Sequence, residues 1–315
     1  MAFFRHDRVT TFLEKFFDSD QRLVQNLLFW GEESLGKMTT ARVFAEALLC
    51  GKNKKWERCN KCASCQMLNQ GYHPDLMIIN PEENSIKIEQ IRQGLNFLIY
   101  HPQISAIRIL IIDQADKMTD DSQNALLKTL EESRENNLII LITDSPKNLF
   151  ATIRSRLLPL RFKRAAKQSL IDFLIREYSL SQDESRLIAE RAEGKIGEAI
   201  KLLDADYRKQ LDKKRKDLIT LLSQGFAKQS AYFQKLTEDG GELIATLKEW
   251  LAVLRSPQDS AGLNLTPLQK NKLAAEILKA IYLLTDTNIN RQLLMENIFL
   301  QMTESQSRPI EVQPR

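Results

Sequence analysis

The chain has 315 residues, 43% hydrophobic and 27% charged, which describes a folded protein long enough for two or three domains and excludes a disordered one. Lys and Arg number 45 against 41 Asp and Glu, and the net charge of +4 is too small to mark a nucleic-acid-binding surface by itself. No apolar run approaches the ~20 residues that span a bilayer, and charges stand where a secretory leader would carry its apolar stretch, so a cytoplasmic location without membrane contact is expected.

From residue 27 to 162, short apolar runs at 27–30, 76–79, 109–112, 138–142 and 157–162 alternate with helical patterns such as Ala41, Phe44, Ala45 and Leu48. That alternation predicts a parallel sheet covered on both faces by right-handed crossovers. After Phe162 only helical spacing remains, first in Leu170, Phe173 and Leu174, then in Leu187 and Ile188, then in Ile200 and Leu203. The charged stretch 208–217 opens a second helical block, read as a solvated helix face in preference to a DNA-binding stripe because Asp212 and Asp217 interrupt it. Later helices are expected at 243–254, 268–284 and 293–302, with breaks at Ser256-Pro257 and Thr266-Pro267 and a fraying polar tail from 305 to 315. The fold class is α/β followed by all-α.

After the first apolar run comes Gly31-Glu-Glu-Ser-Leu-Gly36-Lys37-Met38-Thr39, a GxxxxGK pattern at a strand-to-helix turn. Its glycines let backbone N–H groups face an anion, the helix start adds positive potential, and Lys37 adds a charge. The next position calls for a hydroxyl to ligate magnesium. It holds Met38, a thioether, and Thr39 is turned about 100° away around the helix. Glu32 and Glu33 bring negative charge to the loop. The alternative is a vestigial turn that binds nothing.

The run 109–112 ends in Asp113-Gln114-Ala115-Asp116. In ATPases built this way the acid after the strand helps to hold magnesium, and a following Glu polarises the attacking water. Gln114 cannot accept a proton, which removes a contribution of about 10²–10⁴-fold. Asp113 could instead only cap the next turn, and Asp116 is expected outside the site. Cys50, Cys59, Cys62 and Cys65 supply four soft ligands, enough for a closed tetrahedral zinc site with a structural role. An iron–sulfur cluster or free thiols are the other readings.

These residues are joined by a helix-forming segment, Asn124-Ala-Leu-Leu-Lys128-Thr-Leu-Glu131-Glu132, and by Ser155-Arg156 before the last apolar run. Together they resemble bacterial clamp-loader subunits of the replicative DNA polymerase. His73-Pro-Asp75 and Asn288-x-Asn290 are similar to features of the delta-prime branch. The resemblance covers essentially the whole chain, with the motifs in the family's order.

The resemblance implies an AAA+ nucleotidase-like domain at 1–163 with a zinc module at 50–65, a small helical lid at 164–207 and a helical collar at 208–315. It implies a hetero-pentamer with gamma/tau-type and delta-type subunits that acts on a sliding clamp and primer–template DNA. Arg156 would be the arginine finger presented in trans, in a Ser-Arg-Cys motif whose Cys is Leu157 here. Arg154 is its rival, and a surface ion pair the plainer role for Arg156. Thr143 would be a polar sensor or a strand-end hydroxyl bonded locally. Gly197, in Gly194-Lys-Ile-Gly197, stands where active members carry a sensing Arg. Gly31, Gly36, Lys37, Thr39, Asp113 and Thr143 would form a degenerate site for ATP or ADP.

The expected function is a non-hydrolysing stator. The alternatives are an ATP-hydrolysing gamma-type subunit and an unrelated zinc-ribbon nucleic-acid binder, which would leave segment 124–132 unexplained.

Overall fold

A computed structural model describes residues 3–18, 26–52, 56–132, 136–223, 226–238, 240–255, 263, 265–286 and 289–306. The chain divides into two compact units, Met1–Leu203 and Asp204–Arg315, so residues 164–203 belong with the sheet. In the first unit the elements are α1 (Asp7–Asp18), β1 (Leu27–Trp30), α2 (Lys37–Leu49), α3 (Ala63–Asn69), β2 (Leu76–Ile79), α4 (Ile88–Ile99), β3 (Arg108–Ile112), α5 (Asp120–Glu131), β4 (Asn137–Thr143), α6 (Ala151–Arg154) and β5 (Leu158–Arg161). Helices α7 (Lys167–Tyr178), α8 (Gln182–Ala192) and α9 (Ile196–Lys201) follow. Each of the five apolar runs forms a strand.

The strands pair in parallel in the order β2-β3-β4-β1-β5. Every residue of β3 is buried, as a strand covered on both faces requires. Successive side chains feed opposite cores. Leu27, Phe29, Ile109, Ile111, Ile140 and Ile142 pack with Leu13 of α1 and Phe44 of α2. Leu28, Leu110, Ile112, Ile139 and Leu141 pack with Ile91 of α4 and Leu126 of α5. Neither α1 nor α4 was assigned from the sequence, although both carry an apolar stripe.

The register pairs Trp30 with Thr143 on one side and Arg161 on the other, and Ile112 with Leu141. Gly31, Asp113 and Asp144 therefore emerge at the same end of the sheet. Since β1 lies between β4 and β5, the chain leaves β1 in one direction and β4 in the other. Ligands of open parallel sheets bind where the connections diverge in this way.

At the opposite end of the sheet a buried polar brace ties the cysteine-bearing excursion to β2. Asp75 is fully buried, accepts N–H bonds from Gln103 (2.7 Å), Ile104 (2.9 Å) and Ser105 (2.9 Å), and lies 3.6 Å from Nε of Arg108. Burial raises its pKa, but the N–H donors outweigh burial and hold the carboxyl below the usual range. The backbone N–H of Asp75 donates to Nδ1 of His73 at 3.0 Å, which leaves the ring proton on Nε2, 3.4 Å from Oγ of Ser105. Ser105 in turn donates to the carbonyl of Leu49 at 3.0 Å. Ser, His and Asp meet here, but the carboxylate bonds the backbone and not the imidazole, so the group is a brace and not a nucleophile.

The second unit contains α10 (Ala205–Ser223), α11 (Phe226–Glu238), α12 (Gly240–Arg255), α13 (Pro267–Asp286) and α14 (Arg291–Gln306). They pack around Phe233, Leu243, Leu247, Trp250, Leu273 and Ile277. Nε1 of Trp250 donates to the carbonyl of Lys214 at 2.9 Å, and Tyr232 stacks on the indole while its hydroxyl donates to Asp217 at 3.0 Å. Asp217 of the charged run is thus turned toward the bundle. Pro267 opens α13, and Asn290 Oδ1 caps α14 by accepting from Leu293 N at 3.1 Å. Helix α14 runs through Gln306, past the residue where fraying was expected. Residues 307–315, Ser256-Pro257 and Asn288 lie outside the described residues. Helix α11 was not read from the sequence. Among the described residues no helix is long and apolar enough to cross a membrane.

Replacing Asp75 by Ala leaves the Arg108 guanidinium uncompensated in the core, and urea denaturation should show a loss of about 3–5 kcal/mol. The folded pKa lies below the unfolded one, so Asp75's contribution is complete above about pH 4 and is lost as pH falls through the lower folded value. The gap between wild type and Asp75→Ala should therefore narrow in acid.

Candidate nucleotide site and cysteine cluster

The chain turns from β1 into α2 through a loop that only glycine can open and close. Gly31 has φ 148°, and a Cβ there would lie 2.5 Å from the carbonyl oxygen of Phe162 beyond β5. Gly36 has φ 83° and is the N-cap of α2 without a side-chain cap. The first turn of α2 therefore keeps its orphan N–H groups and the positive end of the helix dipole, an arrangement suited to an anion.

Lys37 does not reach out from this loop. Its side chain is 6% exposed, and the ammonium donates to the carbonyls of Gly31 (2.7 Å) and Glu32 (2.6 Å) and to Oδ1 of Asp144 (2.7 Å). An ammonium has three protons, and all three are placed. Asp144, the residue after β4, was missed in the sequence although it directly follows Thr143.

The outer side of the loop is held as firmly. His6 Nε2 donates to the carbonyl of Leu35 at 2.8 Å, and burial lowers the pKa of the imidazole. The N–H of Gly197, in the first turn of α9, donates to the carbonyl of Ser34 at 2.8 Å. A Cβ on Gly197 would stand 3.1 Å from that oxygen and 3.2 Å from the Cα and Cβ of Ser34, so backbone presses on the loop at this point. Glu32 is exposed and paired. Its carboxylate meets Arg164 at 2.7 Å and Lys195 at 3.7 Å, and the hydrogen bonds of Arg164 hold its pKa down. Arg164 also pairs with Glu193 at 3.1 Å.

Met38 is half-buried and packs against the core that contains Phe44. Thr39 is half-buried on α2, with no hydrogen bond to the Lys37–Asp113 group among the described residues. The neighbouring hydroxyl, Thr40 Oγ1, is spent on the carbonyl of Gly36 at 2.9 Å.

Asp113 does reach the loop. Burial raises its pKa, while the N–H of Gln114 (3.0 Å) and the charge of Lys37 oppose the rise and Asp144 and Asp116 add to it. Asp116, expected outside the site, lies inside it: its Oδ1 accepts from the hydroxyl of Thr143 at 2.6 Å, because the helical turn after Gln114 folds it back over the end of β4. Thr143 also accepts from the N–H of Ser145 at 3.0 Å. Its hydroxyl is thus used locally in both senses.

Arg156 follows α6 on the surface, away from this loop. Its Nη2 donates to Oε1 of Glu131 at 2.6 Å and its Nη1 to the carbonyl of Thr152 at 2.8 Å. Within this chain it makes the surface ion pair that was the plainer of its two expected roles. Arg154, its rival, is exposed at the end of α6.

The four cysteines converge. Their sulfurs lie within 4.8 Å of one another, with Cys50–Cys62 at 4.0 Å and Cys59–Cys65 at 3.9 Å. A tetrahedral site with metal–sulfur bonds of ~2.3 Å needs sulfurs about 3.8 Å apart. Backbone N–H groups of Cys59, Cys62 and Cys65 donate to the sulfurs of Cys50, Cys59 and Cys62 at 3.4, 3.4 and 3.5 Å, which suits thiolates. N–H donors at Lys61 and Cys62 hold the Cys59 thiol at about 6, while burial pushes Cys65 up to about 12. The donor set fits a thiophilic cation.

The sequence model of the family described as DNA polymerase III, delta subunit, matches residues 6–166, just over half of the chain. The chain belongs to that family. As a DNA polymerase III delta-family chain of the clamp-loader class, it is 34% identical over 181 residues to the delta-prime subunit of Bacillus subtilis, covering 58% of this chain and 54% of that one. It is 31% identical over 182 residues to the tau subunit of the same organism, covering 56% of this chain and 32% of that one. The chain thus spans about half the length of the delta-prime relative and a third of the tau relative. Over matches of nearly equal length the two identities differ too little to separate the branches. A crystal structure of a gamma-subunit-related protein from Thermotoga maritima superposes with a TM-score of 0.50 at 20% identity, covering 95% of this chain and 99% of that one, and supports the fold alone.

In this family member Lys37 has a structural task independent of any ligand. Lys37→Ala would leave two loop carbonyls and a carboxylate without their donor, and should cost about 1–3 kcal/mol in nucleotide-free thermal denaturation.

Proposed function

We propose that this chain is a delta-prime-type subunit of the bacterial replicative clamp loader, a non-hydrolysing cytoplasmic stator of AAA+ architecture. In an assembled ring it would stand with gamma/tau-type and delta-type subunits, supporting the loading of a sliding clamp on primer–template DNA. The helices α7–α9 would serve as its lid and α10–α14 as its share of the collar.

One observation carries this reading: the loop keeps an anion cradle but has lost the means of using it. Met38 is a thioether packed against the core, the protons of Lys37 are committed to the protein, and Gln114 is an amide where a base is needed. The phosphates of ATP or ADP would find N–H donors at α2, whereas a magnesium ion would find no hydroxyl at position 38. Gly197 fits the same account. It gives no cation to sense a γ-phosphate, and its backbone holds Ser34.

What the chain would contribute to chemistry is Arg156, presented to a neighbour's triphosphate. A guanidinium is permanently charged and forked, and suits the negative charge that develops on a transferred phosphoryl group. The cysteine cluster would hold a structural Zn²⁺, closed by four thiolates with no position left for substrate.

Metal analysis of the purified chain should return one zinc per chain, and Cys62→Ser should reduce this and lower the thermal midpoint. The isolated chain should hydrolyse ATP at background rate. In a complex assembled with gamma/tau-type and delta-type partners, Arg156→Ala should lower turnover at the single facing site by about 10³–10⁵-fold. Magnesium-dependent turnover by the chain alone would favour the gamma-type alternative, and wild-type complex activity with Arg156→Ala would remove the finger.

A further inference from the structure

Arg156 stands on a short connection between α6 and β5, and a long side chain there has many rotamers open to it. In this structure it adopts one. The carbonyl of Thr152 and Oγ of Ser155 take both protons of Nη1, at 2.8 and 3.4 Å, and Oε1 of Glu131 takes one proton of Nη2 at 2.6 Å. Glu131 is the last residue of α5, which packs on α6, so the carboxylate comes from a rigid neighbouring element and not from the connection itself. Of the five N–H groups of the guanidinium, those on Nε and one on Nη2 remain without a partner among the described residues.

We infer that Glu131 is a positioning residue for Arg156: it holds the guanidinium in one pose, with two donors left over for a phosphate of an adjoining subunit. The inference rests on the trans role proposed for Arg156. Chemistry supports the division of labour. A carboxylate on one proton of Nη2 restricts the side chain without using up its fork. Preorganising a charged group before the reaction saves ordering it during the reaction. Both partners are partly exposed, the arginine side chain at 34% and the glutamate at 54%, so the effect is bounded by what exposed ion pairs supply.

The test is the ATPase of the assembled complex carrying Glu131→Ala, Glu131→Gln, Arg156→Ala or the double variant Glu131→Ala/Arg156→Ala. Glu131→Ala should lower kcat at the facing site by about two- to fivefold, with KM for ATP and the thermal midpoint of the isolated chain unchanged. Glu131→Gln, whose amide oxygen still accepts from Nη2, should recover most of the loss. The double variant should be no worse than Arg156→Ala alone. If Arg156→Ala disables the site but Glu131→Ala matches wild type, raises kcat, or alters only KM or stability, the positioning role is wrong and the trans role stands. If Arg156→Ala has no effect, the trans role itself falls.

Discussion

The ammonium of Lys37, at the start of α2, joins the start of its own loop to the residue after β4, 107 positions further along the chain. A buried cation is tolerable only when its protons are placed and a counter-charge is near, and Asp144 supplies that charge. Around this point the other groups arrange themselves. Asp113 is held between the attraction of Lys37 and the repulsion of Asp144 and Asp116, and Asp116 is turned onto Thr143. The loop is tied in this way from within, and by His6, Gly197 and Arg164 from without.

The same logic of satisfied polar groups governs the far end of the sheet. Asp75, Arg108, His73 and Ser105 are all largely withdrawn from water, and each finds partners in the backbone around it. The sheet is thus bounded by a polar knot at either end, and its apolar middle is left to the strand side chains. The cysteine cluster hangs from one of these knots through Leu49 and Ser64, which both reach Ser105.

Much of this was legible in the sequence because the strands are buried on both faces and read as uninterrupted apolar runs. Phosphate-loop glycines and clustered cysteines likewise carry their geometry in their spacing. Helices α1, α4 and α11 were not read, although α1 buries Val9 and Leu13 and α4 buries Ile91 and Leu98 at helical spacing. Asp116 was misplaced because a left-handed residue at Gln114, φ 49°, redirects the chain, and no local pattern announces it. The pairings Glu32–Arg164 and Arg156–Glu131 join residues 132 and 25 positions apart, and such contacts are decided only by the finished fold.

The strand order has a further consequence for how the chain is made. β1 is an interior strand, yet among the described residues its ladder neighbours are β4 and β5, and the N–H of Ile139 reaches the side chain of Asn26 across 113 residues. At synthesis rates of about 5–20 residues per second, Leu27, Leu28 and Phe29 wait roughly 5–25 s after emerging from the ribosome before a partner strand exists. An apolar strand left unpaired for that interval is a target for holdase chaperones and for wrong partners. Slow nascent-chain maturation is thus built into the topology that brings the loop and the acids together.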